Sequence, residues 1–175
     1  MIITAYNEVI PNAVVEGQRK VLEKFGEKII QIKPKVWGGH AHTIDEYLRN
    51  NDWDHAIVLD IDCIPLEKNV IKDARECASP AFIAFSRKTY EELGKPSFQG
   101  SSQWDVGGEF SYRASEKNLS IKLMYPNHVE NPKWKFADGS MFGIGTTYEN
   151  KVYHHFEGRR VTKSFEDKCN QILLK

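Results

Sequence analysis

The chain has 175 residues, of which 41% are hydrophobic and 27% are charged, as in ordinary globular proteins. Its 24 basic and 24 acidic residues cancel, so no overall field draws it to nucleic acid or an anionic membrane. The length suits one domain with a real core. Cys63, Cys77 and Cys169 are widely spaced, which indicates neither a disulfide framework nor a zinc knuckle.

The sequence contains no hydrophobic stretch that approaches the roughly 18 apolar residues of a membrane helix. The N-terminal segment also lacks the basic start and long apolar core of a signal peptide. We therefore expect a cytoplasmic protein without a transmembrane segment. Nothing in the sequence sets its oligomeric state.

The first half of the chain alternates short apolar runs with amphipathic stretches. This alternation predicts a single α/β domain with a doubly wound, mixed, mostly parallel sheet flanked by helices. The predicted elements are a strand at 2–5, a helix capped by Asn12 that buries Val14, Gln18, Val21, Leu22 and Phe25 before Gly26, a strand at 28–33, a helix opened by a capping box at 43–46, and a buried strand at 56–59.

The second half is less regular. The predicted elements are a helix at 69–77, a strand at 81–85, a helix at 109–117, strands at 119–125 and 151–156, and a closing helix with Phe165, Cys169, Ile172 and Leu173 on one face. Between the strand at 81–85 and the helix at 109–117, residues 90–108 form an irregular segment that is too long for a passive connection. We expect this segment to act as a lid over a ligand.

The most informative stretch is 55–66, with the sequence HAIVLDIDCIPL. A buried strand ends here in Asp60 and Asp62, at the sheet edge where α/β proteins bind ligands. Two carboxylates repel each other there unless a cation joins them, and oxygen ligands suit Mg²⁺ or Mn²⁺ carrying a substrate phosphate. The alternative is a pair of turn-capping carboxylates. A second such triplet, Asp52 to Asp54, precedes the strand and is expected in a solvated loop.

Three segments together resemble the GT-A-type nucleotide-sugar glycosyltransferases, in particular family-2-like members. They are VLDIDCIPL at 58–66, WDVGGEFSYR at 104–113 followed by LSIKLMYP at 119–126, and YHHFEGR at 153–159. The resemblance covers nearly the whole chain in order. It implies a GT-A-like domain with a nucleotide-binding half, 1–66, and an acceptor half with the C-terminal helix, 67–175.

The resemblance also implies a metal site. Asp62 would bind Mn²⁺ or Mg²⁺ directly, and Asp60 would help to hold the metal or the ribose. Either His154 or His155 would add an imidazole, but not both, because neighbouring strand residues face opposite sides. Arg159 is the preferred diphosphate-binding residue because it shares a segment with the histidines.

The acceptor segment departs from the family pattern. Inverting members carry Gly-Glu-Asp, whereas this chain has Gly108, Glu109 and Phe110. The catalytic base is therefore either Glu109 or Asp105, and Glu109 could instead be a carboxylate favoured at a helix start. Trp104 and Gly108 are the candidate acceptor-binding residues.

Three further residues are candidates for the nucleotide. Tyr6 and Asn7 follow the first strand and could stack on and hydrogen-bond a base, or simply form a turn. Trp37, beside Gly38 and Gly39, could allow a ligand close to the backbone, or lie in a plain turn.

The function implied is transfer of a sugar from a nucleoside-diphosphate sugar, with UDP-sugars one candidate, to an acceptor hydroxyl. The acceptor could be a small molecule, a glycan, a protein or a modified DNA base. Inversion is expected and a retaining route stays open. One alternative is a catalytically silent nucleotide- or glycan-binding module. The other is a nucleotidyltransferase, although the sequence AYNE at 5–8 is not the Gly-rich basic loop typical of that class.

Overall fold

The computed structural model describes residues 1–34, 39–135, 139 and 141–175. The strands are β1 (Ile2–Ala5), β2 (Ile29–Ile32), β3 (His55–Leu59), β4 (Cys63–Pro65), β5 (Cys77–Ser79), β6 (Phe82–Ser86), β7 (Lys122–Leu123), β8 (Pro126–Lys135), β9 (Met141–Tyr148) and β10 (Val152–His155). The helices are α1 (Asn12–Lys24), α2 (His40–Asn50), α3 (Asn69–Asp73), α4 (Arg87–Glu92), α5 (Gly108–Glu116) and α6 (Thr162–Leu173).

The central sheet has six strands in the order β2-β1-β3-β6-β5-β7. β1 runs parallel to both β2 and β3, and β5 runs parallel to β7. β6 is antiparallel to both of its neighbours. The prediction of a single α/β domain with a mixed, mostly parallel sheet flanked by helices is confirmed.

A second, antiparallel sheet of four strands in the order β4-β10-β9-β8 was not predicted from the sequence. The prediction of a strand over 119–125 is largely wrong, because only Lys122–Leu123 pairs with the central sheet and Pro126 starts β8. β8 contains prolines and exposed polar residues, so its sequence lacks the apolar pattern by which a strand is predicted. They are tolerated because β8 is an edge strand, and its register shifts at Pro126 and again at Pro132.

Three local predictions need correction. Asn12 is the first residue of α1 rather than its cap, which is Pro11. α2 starts at His40, and Thr43 does not cap it, because the Thr43 hydroxyl donates back to the Gly39 carbonyl at 2.8 Å. α3 ends at Asp73, and Cys77 lies on a strand instead of the predicted helix.

One side of the central sheet packs on a cluster of aromatic rings. Phe85 lies at its centre, with ring centroids 4.9 to 6.0 Å from those of Phe110, Trp53, Tyr90 and Phe98. Phe110, which stands where the glycosyltransferase motif has Asp, is fully buried here. The Phe110 side chain is therefore part of the hydrophobic core.

Another cluster joins α1 to α6. Phe165, Cys169 and Ile172 are buried and Leu173 packs beside them, which confirms the predicted face of the closing helix. Cys63, Cys77 and Cys169 are all buried free thiols. Among the described residues, no helix has the length and apolarity needed to cross a membrane.

Candidate metal centre

The turn after β3 places two carboxylates beside each other. The Asp60 amide donates to the Ala81 carbonyl, and the Cys63 amide donates to the Asp60 carbonyl, each at 3.0 Å. Between the carboxylates, Ile61 packs into the core with 8% of its surface exposed. Asp60 and Asp62 are thereby fixed on either side of an anchored residue.

Pairing between β4 and β10 brings a histidine to these carboxylates. His154 lies opposite Cys63 in the register, one residue away from Asp62. Its Nε2 atom is 3.4 Å from Asp62 Oδ1 and 3.7 Å from Asp60 Oδ2. The three candidate ligand atoms lie within 4.8 Å of one another, and we call these three residues the metal cluster.

His155 faces the other side of β10. It is fully buried, and its Nε2 lies 2.6 Å from the hydroxyl of Ser164 on α6. Its ring also meets the edge of Phe165, with centroids 6.0 Å apart. Because neighbouring strand residues face opposite sides, the sequence left open which of the two histidines could bind a metal. The structure places His154 in the metal cluster and His155 outside it.

A buried glutamine holds the turn that carries the carboxylates. Gln18 on α1 has no exposed surface, and its Nε2 donates to the carbonyls of Asp60 at 2.7 Å and Cys63 at 2.9 Å. Gln31 fixes the other end of the Gln18 amide by donating to its Oε1 at 3.1 Å. Sequence analysis assigned Gln18 only to a helix face; the one signal of a further role was a polar residue among apolar ones.

The loop after β10 also contacts the cluster. The Gly158 amide donates to Asp62 Oδ2 at 3.1 Å, and a Cβ at this position would lie 2.8 Å from the same oxygen. A side chain here would therefore displace the carboxylate. The next residue, Arg159, is exposed and makes no hydrogen bond or ion pair with any residue in the described part of the chain.

The cluster is electrostatically unfavourable without a cation. The pKa of Asp60 is raised from 3.8 to about 6, mainly by loss of hydration; His154 lowers it, and the charges of Asp62 and Asp105 raise it. The surrounding protein limits hydration even though 52% of the Asp60 side chain is accessible. Burial lowers the pKa of His155, and the Asp62 charge opposes this.

The geometry fits one divalent cation. Ligands about 2.1 Å from a shared ion lie roughly 3.0 to 3.5 Å from each other, close to the 3.4 and 3.7 Å measured from His154. Two carboxylates suit Mg²⁺ or Mn²⁺, and an imidazole favours Mn²⁺ of the two.

Two cavities lie near the cluster, and Asp60 borders the smaller one. A narrow cleft of about 20 Å³ is bordered by Ala5 after β1, His40 on α2 and Asp60 after β3. A larger cavity of about 510 Å³ reaches Asp105 and Gly108. Both have Pro80, Ile83 and Val106 among their lining residues, so they are neighbouring spaces.

The two candidate bases have different surroundings. Asp105 lines the larger cavity and its charge acts on Asp60. Glu109 is engaged elsewhere, because one of its oxygens accepts from the Ser97 amide at 2.9 Å and the other pairs with Arg113. The structure thus brings Asp105 to the candidate site and gives Glu109 a role in the fold.

Of the two candidate acceptor residues, Gly108 borders the larger cavity and Trp104 is not among the described residues that line it. Gly108 lines it, and a Cβ at this position would lie 2.6 Å from the Trp104 side chain. Trp104 stacks on Tyr112 with ring centroids 5.0 Å apart. Of the predicted lid, Phe98 is anchored by its amide to buried Asp45 at 2.7 Å. Residues 90–92 belong to α4, and Tyr90, Leu93 and Phe98 are buried, so this half of the segment is part of the core and not an exposed lid. Closure of residues 99–106 on ligand binding stays a prediction.

The candidate nucleotide residues gain little support. Tyr6 is half-buried and packs against the cluster that includes Val14 and Ile61. Asn7 accepts a hydrogen bond from the Val9 amide at 3.3 Å, a local turn contact. Trp37 lies outside the described residues.

Comparison with protein-family models and with curated proteins gave no match, so the functional assignment depends on the geometry of the site itself.

Replacing Gln18 with Leu should loosen the turn that holds the carboxylates. The buried Cys63 carbonyl would lose its Gln18 donor and the Asp60 carbonyl would keep only the Cys63 amide, which together cost about 1–3 kcal/mol of unfolding free energy. Urea denaturation measures this cost. Gln171→Leu, at an exposed position on α6, is the matched control and should be nearly neutral. Equal effects of the two changes would contradict the role given to Gln18.

Replacing Asp60 with Asn should stabilise the metal-free protein at neutral pH. Because the folded-state pKa, about 6, exceeds the ordinary 3.8, the folded protein binds the proton more tightly. The stability that the folded protein gains from the protonated Asp60 is fully present below pH 4 and is lost as the pH rises through 6. With 52% of the side chain accessible, we expect about 1 kcal/mol, or about 2–4 °C in Tm.

Thermal melts in EDTA at pH 4 and pH 7.5 measure this effect. Asp60→Asn should melt above the wild type at pH 7.5 and level with it at pH 4. A constant difference at both pH values would rule out the raised pKa.

Proposed function

We propose that the protein is a Mn²⁺-dependent glycosyltransferase that moves a sugar from a nucleoside-diphosphate sugar to an acceptor hydroxyl with inversion. The observation that carries the proposal is the metal cluster at the carboxyl edge of β3, beside a cleft that shares lining residues with the cavity containing Asp105. UDP-sugars are the first donors to test.

Asp60, Asp62 and His154 would hold the cation. When bound, it would neutralise the negative charge that develops on the leaving diphosphate. Arg159 can add a second positive charge, since it follows Gly158, whose amide contacts Asp62, and its guanidinium has no partner among the described residues.

Asp105 is the base that the geometry favours. Its carboxylate would take the proton from the acceptor hydroxyl while the hydroxyl oxygen bonds to the anomeric carbon of the sugar. The bond from that carbon to the β-phosphate oxygen breaks, and its electron pair stays on the phosphate. Attack from the face opposite the leaving group inverts the anomeric centre.

A second candidate is a module that binds a nucleotide or glycan without turnover. It is favoured by the structural roles of Glu109 and Phe110, the two residues at the acceptor motif positions. Binding of UDP with Mn²⁺ without hydrolysis of any UDP-sugar would favour this candidate, because ligand binding stabilises the native state whether or not chemistry follows.

The first test concerns the cation. Asp62→Asn and His154→Ala should each weaken Mn²⁺ binding at least about tenfold. Even the loss of a residue that only hydrogen-bonds to a metal ligand has an effect of that size. His155→Ala should lower stability but leave Mn²⁺ affinity unchanged in the folded protein. Loss of the free Mn²⁺ signal in electron paramagnetic resonance measures binding. His128→Ala, at an exposed histidine on β8, is the control, and equal effects at 154 and 155 would contradict the assignment.

The second test distinguishes the two candidate bases. Asp105→Asn should lower Mn²⁺-dependent hydrolysis of a UDP-sugar at least about 100-fold, because water replaces the acceptor and still needs a base. Glu109→Gln should lower stability through Arg113 while hydrolysis persists. Chromatographic detection of released UDP measures both rates. The opposite ranking would move the base to Glu109.

A further inference from the structure

The antiparallel sheet carries a second group of aromatic rings, separate from the cluster around Phe85. Trp134 on β8 stacks on Phe142 of β9, with ring centroids 5.4 Å apart. The ring centroid of Phe156, directly after β10, lies 4.8 Å from that of Phe142 and 5.8 Å from that of Trp134. The Phe156 amide donates to the Ile144 carbonyl of β9 at 2.9 Å, so Phe156 prolongs β10. We call the three rings, which come from three neighbouring strands, the aromatic surface.

The aromatic surface adjoins the metal cluster. Phe156 follows His154 by two residues, so the two side chains lie on the same side of the strand. Their ring centroids are 3.9 Å apart. His155, between them, points to Ser164 on α6 instead. A cation bound at His154 Nε2 would therefore be only one imidazole ring away from Phe156.

Exposure distinguishes the aromatic surface from the aromatic cluster of the core. The rings around Phe85 have at most 7% of their surface exposed. Trp134, Phe142 and Phe156 remain partly exposed although they contact one another. Packing in the fold thus leaves part of these rings accessible beside the metal cluster. An accessible apolar surface with polar groups at its rim is typical of a ligand-binding site.

A charged pair forms the rim of this surface. Lys133 Nζ lies 4.8 Å from the centroid of the Trp134 ring and 2.7 Å from the carboxylate of Glu157. The hydrogen bond from Lys133 holds the pKa of Glu157 below its usual value, so this carboxylate is a charged acceptor at neutral pH. The Lys133 side chain is 48% exposed, which leaves its ammonium free to turn towards a ligand. The pair supplies the donors and acceptors that hydroxyl groups need.

The combination of aromatic surface and polar rim matches a sugar ring. A pyranose has a face of C–H groups, which packs on the electron-rich face of an aromatic ring, and hydroxyl groups around its edge. A nucleobase would also stack, but the cleft bordered by Ala5 and Asp60 offers it a separate place. The cleft reaches the metal cluster at Asp60, whereas the aromatic surface reaches it at His154.

We propose that the aromatic surface binds a pyranose ring and that Lys133 and Glu157 hydrogen-bond to its hydroxyl groups. The ring is that of the donor sugar, which is bonded to the β-phosphate that the cation would hold. This assignment rests on the glycosyltransferase function proposed above. A glycan acceptor would present the same ring chemistry, and the experiments distinguish the two sources.

Fluorine NMR of protein labelled with 5-fluorotryptophan tests the contact directly. The variant Trp134→Phe identifies the Trp134 resonance. With Mg²⁺, at least one of UDP-glucose, UDP-galactose and UDP-N-acetylglucosamine should shift this resonance, and UDP should leave it in place. Trp53, buried beside Phe85, is the internal control and should not move. Equal shifts with UDP and the UDP-sugars would assign the surface to the nucleotide and overturn the proposal.

Two variants remove a ring while keeping an apolar side chain. Trp134→Leu and Phe156→Leu should each weaken binding of the UDP-sugar with Mn²⁺ about threefold to tenfold, the effect of one stacking contact, and leave UDP affinity unchanged. Calorimetry measures both affinities. Phe25→Leu, at a partly exposed ring after α1, is the matched control. Mn²⁺ binding alone shows whether Phe156→Leu has displaced His154. Equal losses for UDP and the UDP-sugar in Trp134→Leu would overturn the proposal.

Titration of the same variants with methyl α- and β-glucoside separates the sources and the two proposals. Weakened glucoside binding with unchanged UDP-sugar binding would assign the surface to an acceptor glycan and overturn the donor assignment. If UDP binds with Mn²⁺ but neither variant affects any sugar-bearing probe, the sugar site is wrong and the donor nucleotide site stands. If the variants weaken glucoside binding while UDP and Mn²⁺ do not bind, the sugar site is supported and the glycosyltransferase proposal fails.

Discussion

The pairing of β4 with β10 is the contact on which the candidate site depends. Only three residue pairs form it, yet it joins the turn after β3 to a part of the chain more than 80 residues later. It sets His154 beside Asp62 and brings Gly158 within hydrogen-bond distance of the same carboxylate. Through β4, it also joins the antiparallel sheet to the end of β3 in the central sheet. Without this register, Asp60 and Asp62 would be a repelling pair with no third ligand.

The protein keeps several unfavourable groups at this junction. Asp60 has a raised pKa, and the hydroxyls of Ser79 and Tyr148 are buried without partners in the described structure. Replacing any one of these groups by a neutral or apolar one would raise the stability of the folded protein. Asp60 borders the cleft, whereas the two hydroxyl oxygens have almost no accessible surface and so add to the cost of the fold without facing either cavity. The Gln18 amide provides the opposing stabilisation, since it fully satisfies the turn that carries the carboxylates.

How far the sequence could predict this structure varied with the range of the interactions. The α/β architecture and the position of Asp60 and Asp62 after a buried strand followed from local apolar runs and the turn residues that end them. The choice of His154 over His155 needed the register of two strands distant in sequence, which no local pattern contains. β8 was missed because edge strands tolerate the prolines that argue against a strand elsewhere. Glu109 was a plausible base by motif, but its pairing with Arg113 depends on how α5 packs.

Cys63 directly follows Asp62, but its sulfur is not among the candidate ligand atoms of the metal cluster. Its thiol is fully buried, and burial together with the negative charges of Asp60 and Asp62 raises its pKa well above the usual value. A thiol that stays protonated is a poor ligand for thiophilic ions such as Zn²⁺ or Cu⁺ and reacts slowly with peroxide. Burial, reinforced by the two carboxylates, thus keeps the sulfur that follows Asp62 in the chain as an unreactive thiol.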